Sequence, residues 1–400
     1  MPWRSHIESL HRKRTAFAQW RQRQTVDSPQ ASTVTIDGRD YHNFCSNDYL
    51  GLANDARLKQ AAVEAAQEFG VGSGASHLVC GHHAAHADLE KRIADFMSAE
   101  QAIVFSTGYM ANLAIAQAFM SRDDFVFQDK LNHASLIDAG RSCDGKLKRY
   151  AHAAPDALNE LFRKHPTGRK LIMTDGVFSM DGDVAPITEL KRVADQHEAL
   201  LLIDEAHGFG VQGDGRGSAA AVNVRPKDNV LIMGTLGKAA GSFGAFVVGD
   251  AMLIEHLIQF GRTYIFTTAT PPHVAATSSA AIQIIDERSN LLADLHTNIH
   301  RFKSAIKNGP LKNHFLDSPT PIQPIVVGDE TAALRASDHL RENSFLVTAI
   351  RPPTVPDGSS RLRITLTAAH TQDAIESLVD ELHSEPFQKI LAESSPTESA

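Results

Sequence analysis

The stretch ITELKRVADQHEALLLIDEAHG, residues 187–208, decides the fold. Its first part, Ile187–His197, carries apolar side chains at helical spacing, whereas Leu200–Asp204 is short and almost wholly apolar, which is typical of a buried strand. A strand that lacks polar alternation is covered on both faces, as in a parallel sheet. A helix followed by such a strand therefore predicts an α/β protein with a mostly parallel central sheet.

The same alternation continues on both sides of this stretch. The further strand candidates are short apolar segments: Ala102–Phe105, Phe125–Phe127, Lys170–Thr174, Val230–Met233 and Ala245–Val248. Helical periodicity extends over Asp55–Phe69, His86–Met97 and Tyr109–Met120. Near the start of the chain, Asp37-Gly38 lies between Thr33–Ile36 and Tyr41–Cys45, and this arrangement predicts a β-hairpin.

We divide the chain into four parts: an N-terminal helix and hairpin segment (1–50), a large domain (51–288), a smaller C-terminal α+β domain (289–385) and a disordered tail (386–400). From about Asn290 the pattern changes to strands with helices on one side. These strand candidates are Ile322–Val327, Leu346–Ile350 and Arg361–Leu366. The tail contains Glu-Ser-Ser-Pro-Thr-Glu-Ser, a composition typical of disorder.

The first 26 residues carry six basic side chains against one acid, Glu8. An arginine-rich, acid-poor start is typical of an organellar transit peptide. The alternative is an amphipathic helix of the mature chain, because Trp3, Ile7 and Leu10 recur at helical spacing. We favour the helix, since two tryptophans and little serine are unusual for a transit peptide.

Composition and motifs exclude several classes of protein. A formal net charge of −8 argues against general nucleic-acid binding, and no apolar run is long enough to span a membrane. Three distant cysteines give neither a disulfide framework nor a zinc site, which fits a reducing cytoplasm. His82, His83 and His86 form a cluster without the glutamate of an HExxH motif, so we predict no metal site.

Four polar segments that contain or border glycine follow strand candidates: 106–112, 175–183, 204–208 and 235–241. Ligands of parallel sheets bind outside the carboxyl ends of the strands, so these segments are expected to meet at one cleft. The first is a strand-to-helix turn, where free N–H groups suit a phosphate, although this segment taken alone favours an ordinary capped helix.

Asp204 is the candidate anion of this cleft, because a carboxylate at the end of a buried strand needs a partner. A protonated ring nitrogen of a ligand would be one. Asp204–His207 also spells the Asp-Glu-Ala-His box of helicases, but the phosphate loop GxxxxGK[ST] that a helicase needs does not occur. The GxGxxG at 208–213 runs into further glycines, so it predicts a loop and not a dinucleotide-binding helix.

Lys238 is the candidate nucleophile or base. It follows the apolar strand Val230–Met233 within Thr235-Leu236-Gly237-Lys238, among small residues that leave room for a planar ligand. A lysine desolvated in such a place has a lowered pKa and becomes reactive.

Together these segments resemble the α-oxoamine synthase family of pyridoxal-phosphate (PLP) enzymes, which has the aspartate aminotransferase fold, PLP fold type I. The similarity runs from about Trp3 to Leu382. It is carried by Ser46–Leu52, Gly72–Ser76, Asp129–Ser135, Gly176–Asp183, Asp204–Gly208 and Thr235–Lys238.

The resemblance implies a reaction. Arg351–Pro356 and Arg361–His370 are most similar to the members of biotin biosynthesis, which implies decarboxylative condensation of L-alanine with pimeloyl-CoA or a pimeloyl carrier-protein thioester. The alternative is a glycine-using 2-amino-3-oxobutyrate CoA ligase or another α-oxoamine synthase. The family also implies a homodimer.

The resemblance further implies the role of each site residue. Lys238 holds PLP, Asp204 faces its ring nitrogen, and His133 stacks on its ring. The other cofactor positions are Gly108, Tyr109, Ser179, His207 and Thr235. The substrate positions are Arg21, Asn47, Ser76, Arg351, Thr354 and Arg363. His77 and Cys80–His83 depart from the family's pattern next to Ser76.

Overall fold

The computed structural model describes residues 2–17, 19–287 and 290–393. Its strands are β1 (Thr33–Ile36), β2 (Arg39–Asn43), β3 (Gln101–Phe105), β4 (Phe125–Asp129), β5 (Lys146–Tyr150), β6 (Lys170–Asp175), β7 (Leu200–Asp204), β8 (Val230–Thr235), β9 (Ala245–Gly249), β10 (Ile322–Gly328), β11 (Phe345–Leu346), β12 (Thr348–Ile350) and β13 (Ser360–Thr365).

The α-helices are α1 (Pro2–Ala16), α2 (Ala56–Phe69), α3 (Ala84–Met97), α4 (Gly108–Phe119), α5 (Ala134–Ser142), α6 (Pro155–Lys164), α7 (Ile187–Gln196), α8 (Ser218–Ala221), α9 (Ala251–Phe260), α10 (Arg262–Ile265), α11 (Pro272–Asp286), α12 (Leu291–Lys307), α13 (Glu330–Glu342), α14 (Gln372–His383) and α15 (Glu385–Ala392). A π-helix spans His77–Gly81 and a 3₁₀-helix Pro310–Asn313. Each described helix is too short or too polar to cross a membrane.

The chain divides into two compact units. The large unit comprises Asp48–Ser179 and Asp183–Ala293, and the small unit comprises the described parts of Met1–Asn47, Met180–Gly182 and Asp294–Ala400. The N-terminal hairpin therefore groups with the C-terminal region, and a three-residue turn from the middle of the chain joins it.

The large unit is built on a seven-stranded sheet of order β3-β9-β8-β7-β6-β4-β5. Strands β8, β7, β6, β4 and β5 pair in parallel, and β9 runs antiparallel between β8 and β3. This arrangement confirms the predicted α/β fold with a mostly parallel sheet. The sheet order matters for function because β8, β7, β6 and β4, which precede Lys238, His207, Ser179 and His133, are neighbours; the segment 106–112 follows the edge strand β3.

The central strands are buried on both faces, which is why their sequences lack polar alternation. Every residue of β6 is buried. Leu171, Leu202 and Met233 contribute to an apolar core that includes Ala114 of α4 and Leu257 of α9. The edge strand β5, Lys-Leu-Lys-Arg-Tyr, is partly exposed and charged, and this explains why apolar patterning did not reveal it.

A buried glutamate stabilises the loop that follows β7. The Glu205 carboxylate is inaccessible to solvent and accepts hydrogen bonds from the Ser218 hydroxyl and from the N–H groups of Ser218 and Ala219. The added Cβ of a larger residue at any of three surrounding glycines, Gly176, Gly208 and Gly217, would lie within 3.0 Å of that carboxyl group. Glu205 is thus a structural residue enclosed by a glycine cage.

The small unit contains two three-stranded sheets, β1-β2-β11 and β10-β13-β12. The predicted hairpin is confirmed: β1 and β2 pair antiparallel, and Asp37 and Gly38 both have positive φ, 52° and 73°, as a tight hairpin turn requires. The predicted single strand Leu346–Ile350 is wrong, because the chain leaves one sheet after Leu346 and enters the other at Thr348.

The predicted disordered tail also needs correction, since its first part is helix α15. Ser384 caps this helix by accepting from the Phe387 N–H, and Pro386 occupies its first turn. Phe387 and Leu391, four residues apart, are buried. These two apolar side chains on one face pack the helix against the core, although the overall composition of the tail is polar. Residues 394–400 lie outside the described residues.

Replacing Phe387 by alanine should lower the free energy of unfolding by about 3–5 kcal/mol, because it empties a fully buried aromatic site. Chemical denaturation monitored by circular dichroism measures this change. Lys389→Ala, an exposed position on the same helix, is the matched control and should change stability little. Equal stabilities of both variants would contradict the packing of α15.

Candidate active site

Four candidate residues of the large unit lie at the ends of four neighbouring strands. Asp204 is the last residue of β7, Lys238 follows β8 and Ser179 follows β6. His133 follows β4 as the N-cap of α5. The parallel register therefore brings these segments to one edge of the sheet, as predicted from their positions after apolar strands.

Lys238 lies against a histidine and a tyrosine. Its Nζ is 2.8 Å from His207 Nε2, and the Tyr49 hydroxyl is 2.6 Å from His207 Nδ1. An ammonium group has no lone pair, so protonated Lys238 donates to Nε2. The neutral imidazole then carries its proton on Nδ1, facing the Tyr49 oxygen. This chain of contacts gives the lysine a partner that can share its proton.

Asp204 is buried and bound by neutral donors. Asn112 Nδ2 donates to its Oδ2 over 2.8 Å, and the Ala206 N–H donates to its Oδ1 over 2.9 Å. The carboxylate is only 3% exposed. A buried carboxylate that is met by neutral donors suits a cationic ligand group, such as a protonated ring nitrogen.

His133 is held in one tautomer. The Ser135 hydroxyl, 2.8 Å from His133 Nδ1, accepts from Asn112 Nδ2 and is therefore free to donate to that nitrogen. The Ser135 N–H also points to Nδ1, at 3.2 Å. Nδ1 is thus an acceptor, and the ring proton resides on Nε2. Burial lowers the pKa of His133, against the opposing effect of Asp204, which is consistent with this neutral form.

Asp175, at the end of β6, supports the backbone of His133. Its Oδ2 accepts from the His133 N–H over 2.6 Å, and its own N–H donates to Asn132 Oδ1. Burial, and then the charge of Asp204, raise the pKa of Asp175 well above its usual range. A second negative charge beside Asp204 is therefore disfavoured.

The predicted phosphate-side residues lie at the start of α4 and at the end of β8. Gly108 begins α4 directly after its N-cap, Thr107, and Tyr109 donates its hydroxyl hydrogen bond to Asp138. Thr235 Oγ1 donates to the Gly244 carbonyl over 3.1 Å and accepts from the Gly237 N–H. A helix start of this kind suits a phosphate.

Ser76 and Ser179 occupy loop positions in the large unit. Ser76 is the N-cap of the π-helix and has extended backbone geometry. Ser179 is half-buried and follows the buried Phe178 in the turn after β6.

Three of the remaining candidates come together within the small unit. Arg21, Arg351 and Thr354 line one cavity of about 820 Å³. Burial, and then the positive charge of Arg21, lower the pKa of Arg351. Two neighbouring guanidinium groups in one cavity favour an anionic ligand. Arg363, also in this unit, donates from both terminal nitrogens to Asn47 Oδ1 at 3.2 Å.

The histidine cluster near Ser76 includes His77, His82 and His86, whose possible ligand atoms lie within 4.8 Å of one another. Its members already have hydrogen-bond partners. His86 Nδ1 accepts from the His83 N–H and Nε2 faces the Thr270 carbonyl, while the Nδ1 atoms of His77 and His82 are 2.9 Å apart. The geometry is that of a hydrogen-bonded histidine cluster.

Sequence reasoning missed four residues of the site: Tyr49, Asn112, Ser135 and Asp175. For two of these residues the sequence does contain a signal. Asn112 is a polar residue in the otherwise apolar first turns of α4, and Asp175 ends an apolar strand as Asp204 does. For Tyr49 the sequence offers no comparable signal, because its partner His207 lies 158 residues away. Ser135 bonds His133 two residues before it, but its other partner, Asn112, lies 23 residues away.

Comparison with known proteins identifies the family to which this chain belongs. The model of aminotransferase class I and II matches residues 39–382. The chain is 50% identical to the 8-amino-7-oxononanoate synthase of Hahella chejuensis over 91% of this chain and 92% of that protein. It is 48% identical to the enzyme of the same name from Methylococcus capsulatus, over 91% and 94%.

Solved structures agree with this assignment. Serine palmitoyltransferase from S. paucimobilis with a bound PLP–myriocin aldimine superimposes with a TM-score of 0.90 at 28% identity, covering 98% of both chains. The 8-amino-7-oxononanoate synthase of Francisella tularensis gives a TM-score of 0.75 at 32% identity, covering 87% of this chain and 98% of that one.

Ser135→Ala should lower kcat roughly three- to tenfold, because His133 Nδ1 loses its shorter hydrogen bond and the Asn112 amide loses an acceptor. Steady-state kinetics with the acyl thioester measure the effect. Ser142→Ala, at the other end of α5, is the control and should leave kcat unchanged. A wild-type rate in Ser135→Ala would contradict the tautomer argument.

Proposed function

The chain belongs to the aminotransferase class I and II family and, within it, to the 8-amino-7-oxononanoate synthases, and we propose that the residues described above carry that reaction. L-Alanine and a pimeloyl thioester are joined with loss of CO₂ and of the free thiol carrier. One observation carries the residue assignment: Lys238 Nζ lies 2.8 Å from His207, which is three positions after the buried Asp204 carboxylate.

The cofactor of this family is pyridoxal 5′-phosphate, and the residues present fit it. Lys238 would bond its aldehyde carbon, and Asp204 would pair with its ring nitrogen. The start of α4 at Gly108 and Tyr109, together with Thr235, would hold its phosphate. Ser179 and His207 would lie near its phenolic oxygen. When bound, PLP supplies the electron sink that stabilises a carbanion at the alanine Cα.

Lys238 acts as the base that removes the Cα proton of alanine. Once its amino group is released from the cofactor, its lone pair can accept that proton. His207, held by Tyr49 on its far side, orients the amine and can share the proton it receives. The pair is suited to repeated proton transfer because both groups are fixed by short hydrogen bonds.

His133 acts on the acyl thioester. Its neutral ring carries the proton on Nε2, so it can donate a hydrogen bond to the thioester carbonyl oxygen as negative charge develops there. The chain Asp204–Asn112–Ser135–His133 fixes the ring from the Nδ1 side. The same ring would cover the face of the cofactor.

The cavity lined by Arg21, Arg351 and Thr354 binds the anionic part of the acyl donor. Its two guanidinium groups suit the pimeloyl carboxylate or a phosphate of the carrier. Asn47 and Arg363, in the same unit, are further substrate positions, and the Asn47 side chain holds the Arg363 guanidinium in a fixed orientation. Ser76, in the large unit, is assigned to substrate by the family resemblance.

The enzyme works as a homodimer in the cytoplasm. The dimer is supported by the family resemblance, and size-exclusion chromatography with light scattering tests it; a monomer with full activity would contradict it. The cytoplasm is supported by Cys45, Cys80 and Cys143, which form no disulfide among themselves.

The substrate assignment is tested with two pairs of substrates. Alanine with pimeloyl-CoA or a pimeloyl carrier-protein thioester should give CO₂ and free thiol, whereas glycine with acetyl-CoA should react far more slowly. A preference for glycine and acetyl-CoA would assign the chain to the 2-amino-3-oxobutyrate CoA ligases. Comparison of the two pimeloyl donors identifies the carrier.

Replacing Lys238 by alanine should abolish nearly all turnover and the visible absorbance that PLP acquires when it bonds to a lysine. Absorbance of the purified protein and a thiol-release assay measure the two effects. Lys191→Ala, a solvent-side lysine on α7 paired with Asp195, is the control. Full activity in Lys238→Ala would refute the role of this lysine.

Asp204→Asn should reduce kcat roughly thousandfold or more, because an amide cannot stabilise the protonated ring nitrogen as a carboxylate does. Exchange of the alanine Cα hydrogen with deuterated solvent, followed by NMR, reports this step without the thioester. Near-normal exchange in this variant would contradict the pairing of Asp204 with the ring.

A further inference from the structure

His152, in the loop after β5, lies between two carboxylates. Its Nδ1 is 3.0 Å from Asp129 Oδ1 and its Nε2 is 2.9 Å from Asp183 Oδ2. Ionised carboxylates accept hydrogen bonds and do not donate them, so both ring nitrogens carry protons. Hydrogen bonds to Asp129 and then to Asp183 raise the pKa of His152 to about 10, which is consistent with an imidazolium at neutral pH.

Asp129 anchors the loop that leads to His133. It ends β4 and is 1% exposed. Its Oδ1 also accepts from the Leu131 N–H, and its Oδ2 accepts from the Ala153 N–H over 2.7 Å. The carboxylate therefore fixes the first residues of the 129–133 loop and the residue beside His152 at the same time.

Asp183 closes the turn that carries Ser179. Its carbonyl accepts from the Phe178 N–H over 2.9 Å, and Val177 bridges to Val184 next to it. The rings of His152 and Phe178 make an edge-to-face contact, with their centroids 4.5 Å apart. His152 thus touches this turn both through a carboxylate and through an aromatic ring.

We propose that His152 is a positioning residue, which ties the loop that carries His133 to the turn that carries Ser179 and so keeps these two groups at a fixed spacing. The inference rests on the proposed function, since that function assigns both groups to the site. His152 itself touches neither His133 nor Ser179 through any of the contacts above; its effect is transmitted through Asp129, Asp183 and Phe178.

The test compares His152→Gln with His152→Arg in the full-length protein loaded with PLP. Glutamine has no charge and carries its donors on a single nitrogen, whereas arginine keeps the charge and presents donors on several nitrogens. His165→Gln, a histidine at the end of α6 that stacks on Phe125, is the matched control.

Two readouts separate positioning from general stabilisation. Hydrogen exchange of the Leu131, His133 and Phe178 amides, in the absence of substrate, should become about tenfold faster in His152→Gln at a temperature well below unfolding. The kcat should fall by about tenfold or more while the KM for the thioester changes little, because a small displacement of reacting groups affects the rate more than binding. His152→Arg should recover most of both properties.

A second variant, Asp183→Ala, tests the proposal independently if His152→Gln folds poorly. It removes only the hydrogen bond between His152 and the more exposed carboxylate. Hydrogen exchange of the Phe178 amide should therefore accelerate, while that of the Leu131 amide keeps the rate of the unmodified protein. A lower melting temperature with unchanged exchange and unchanged kcat would overturn the proposal. If the unmodified enzyme catalysed no condensation, the proposed function would be refuted but the positioning role would not. Hydrogen exchange reports on the two loops without substrate.

Discussion

A single carboxylate at the end of a buried strand imposes the main constraint on the large unit. Removing an acid from water is costly unless hydrogen bonds or an opposite charge compensate it. Asn112 and the Ala206 N–H supply part of this compensation, and the ring nitrogen of the cofactor would supply the rest. The raised pKa of the neighbouring Asp175 fits the same constraint, since it keeps a second negative charge away.

The two histidines of the site are prepared for different tasks by their hydrogen bonds. His133 accepts on Nδ1 and therefore offers its proton from Nε2, whereas His207 accepts on Nε2 from Lys238 and holds its proton on Nδ1. In the proposed mechanism, one ring donates toward a substrate oxygen and the other accepts from the base. The same residue type thus provides opposite functions, selected by which side of each ring meets the protein.

Much of the fold could be predicted because the central strands are buried on both faces and so have uniformly apolar sequences. Leu200–Asp204 was identified to the residue for this reason. The charged edge strand β5 could not be, and neither could α15, whose buried Phe387 and Leu391 belong to a tail of otherwise largely polar sequence. Lys238 and Asp204 could be singled out as candidates because one follows and the other ends an apolar strand. Tyr49 and Ser135 were not, because their roles arise from contacts that only the folded chain creates.

The glycine cage around Glu205 limits how this part of the chain can vary. Three positions from two separate parts of the sequence surround one carboxyl group, and each is closed to any larger side chain. Most random substitutions at these positions would therefore disturb the fold, and such variants would be lost before they could be selected for catalytic activity. Libraries designed to alter the choice of amino acid would lose little by leaving residues 176, 208 and 217 unchanged, and the residues that line the proposed substrate cavity would offer them more freedom.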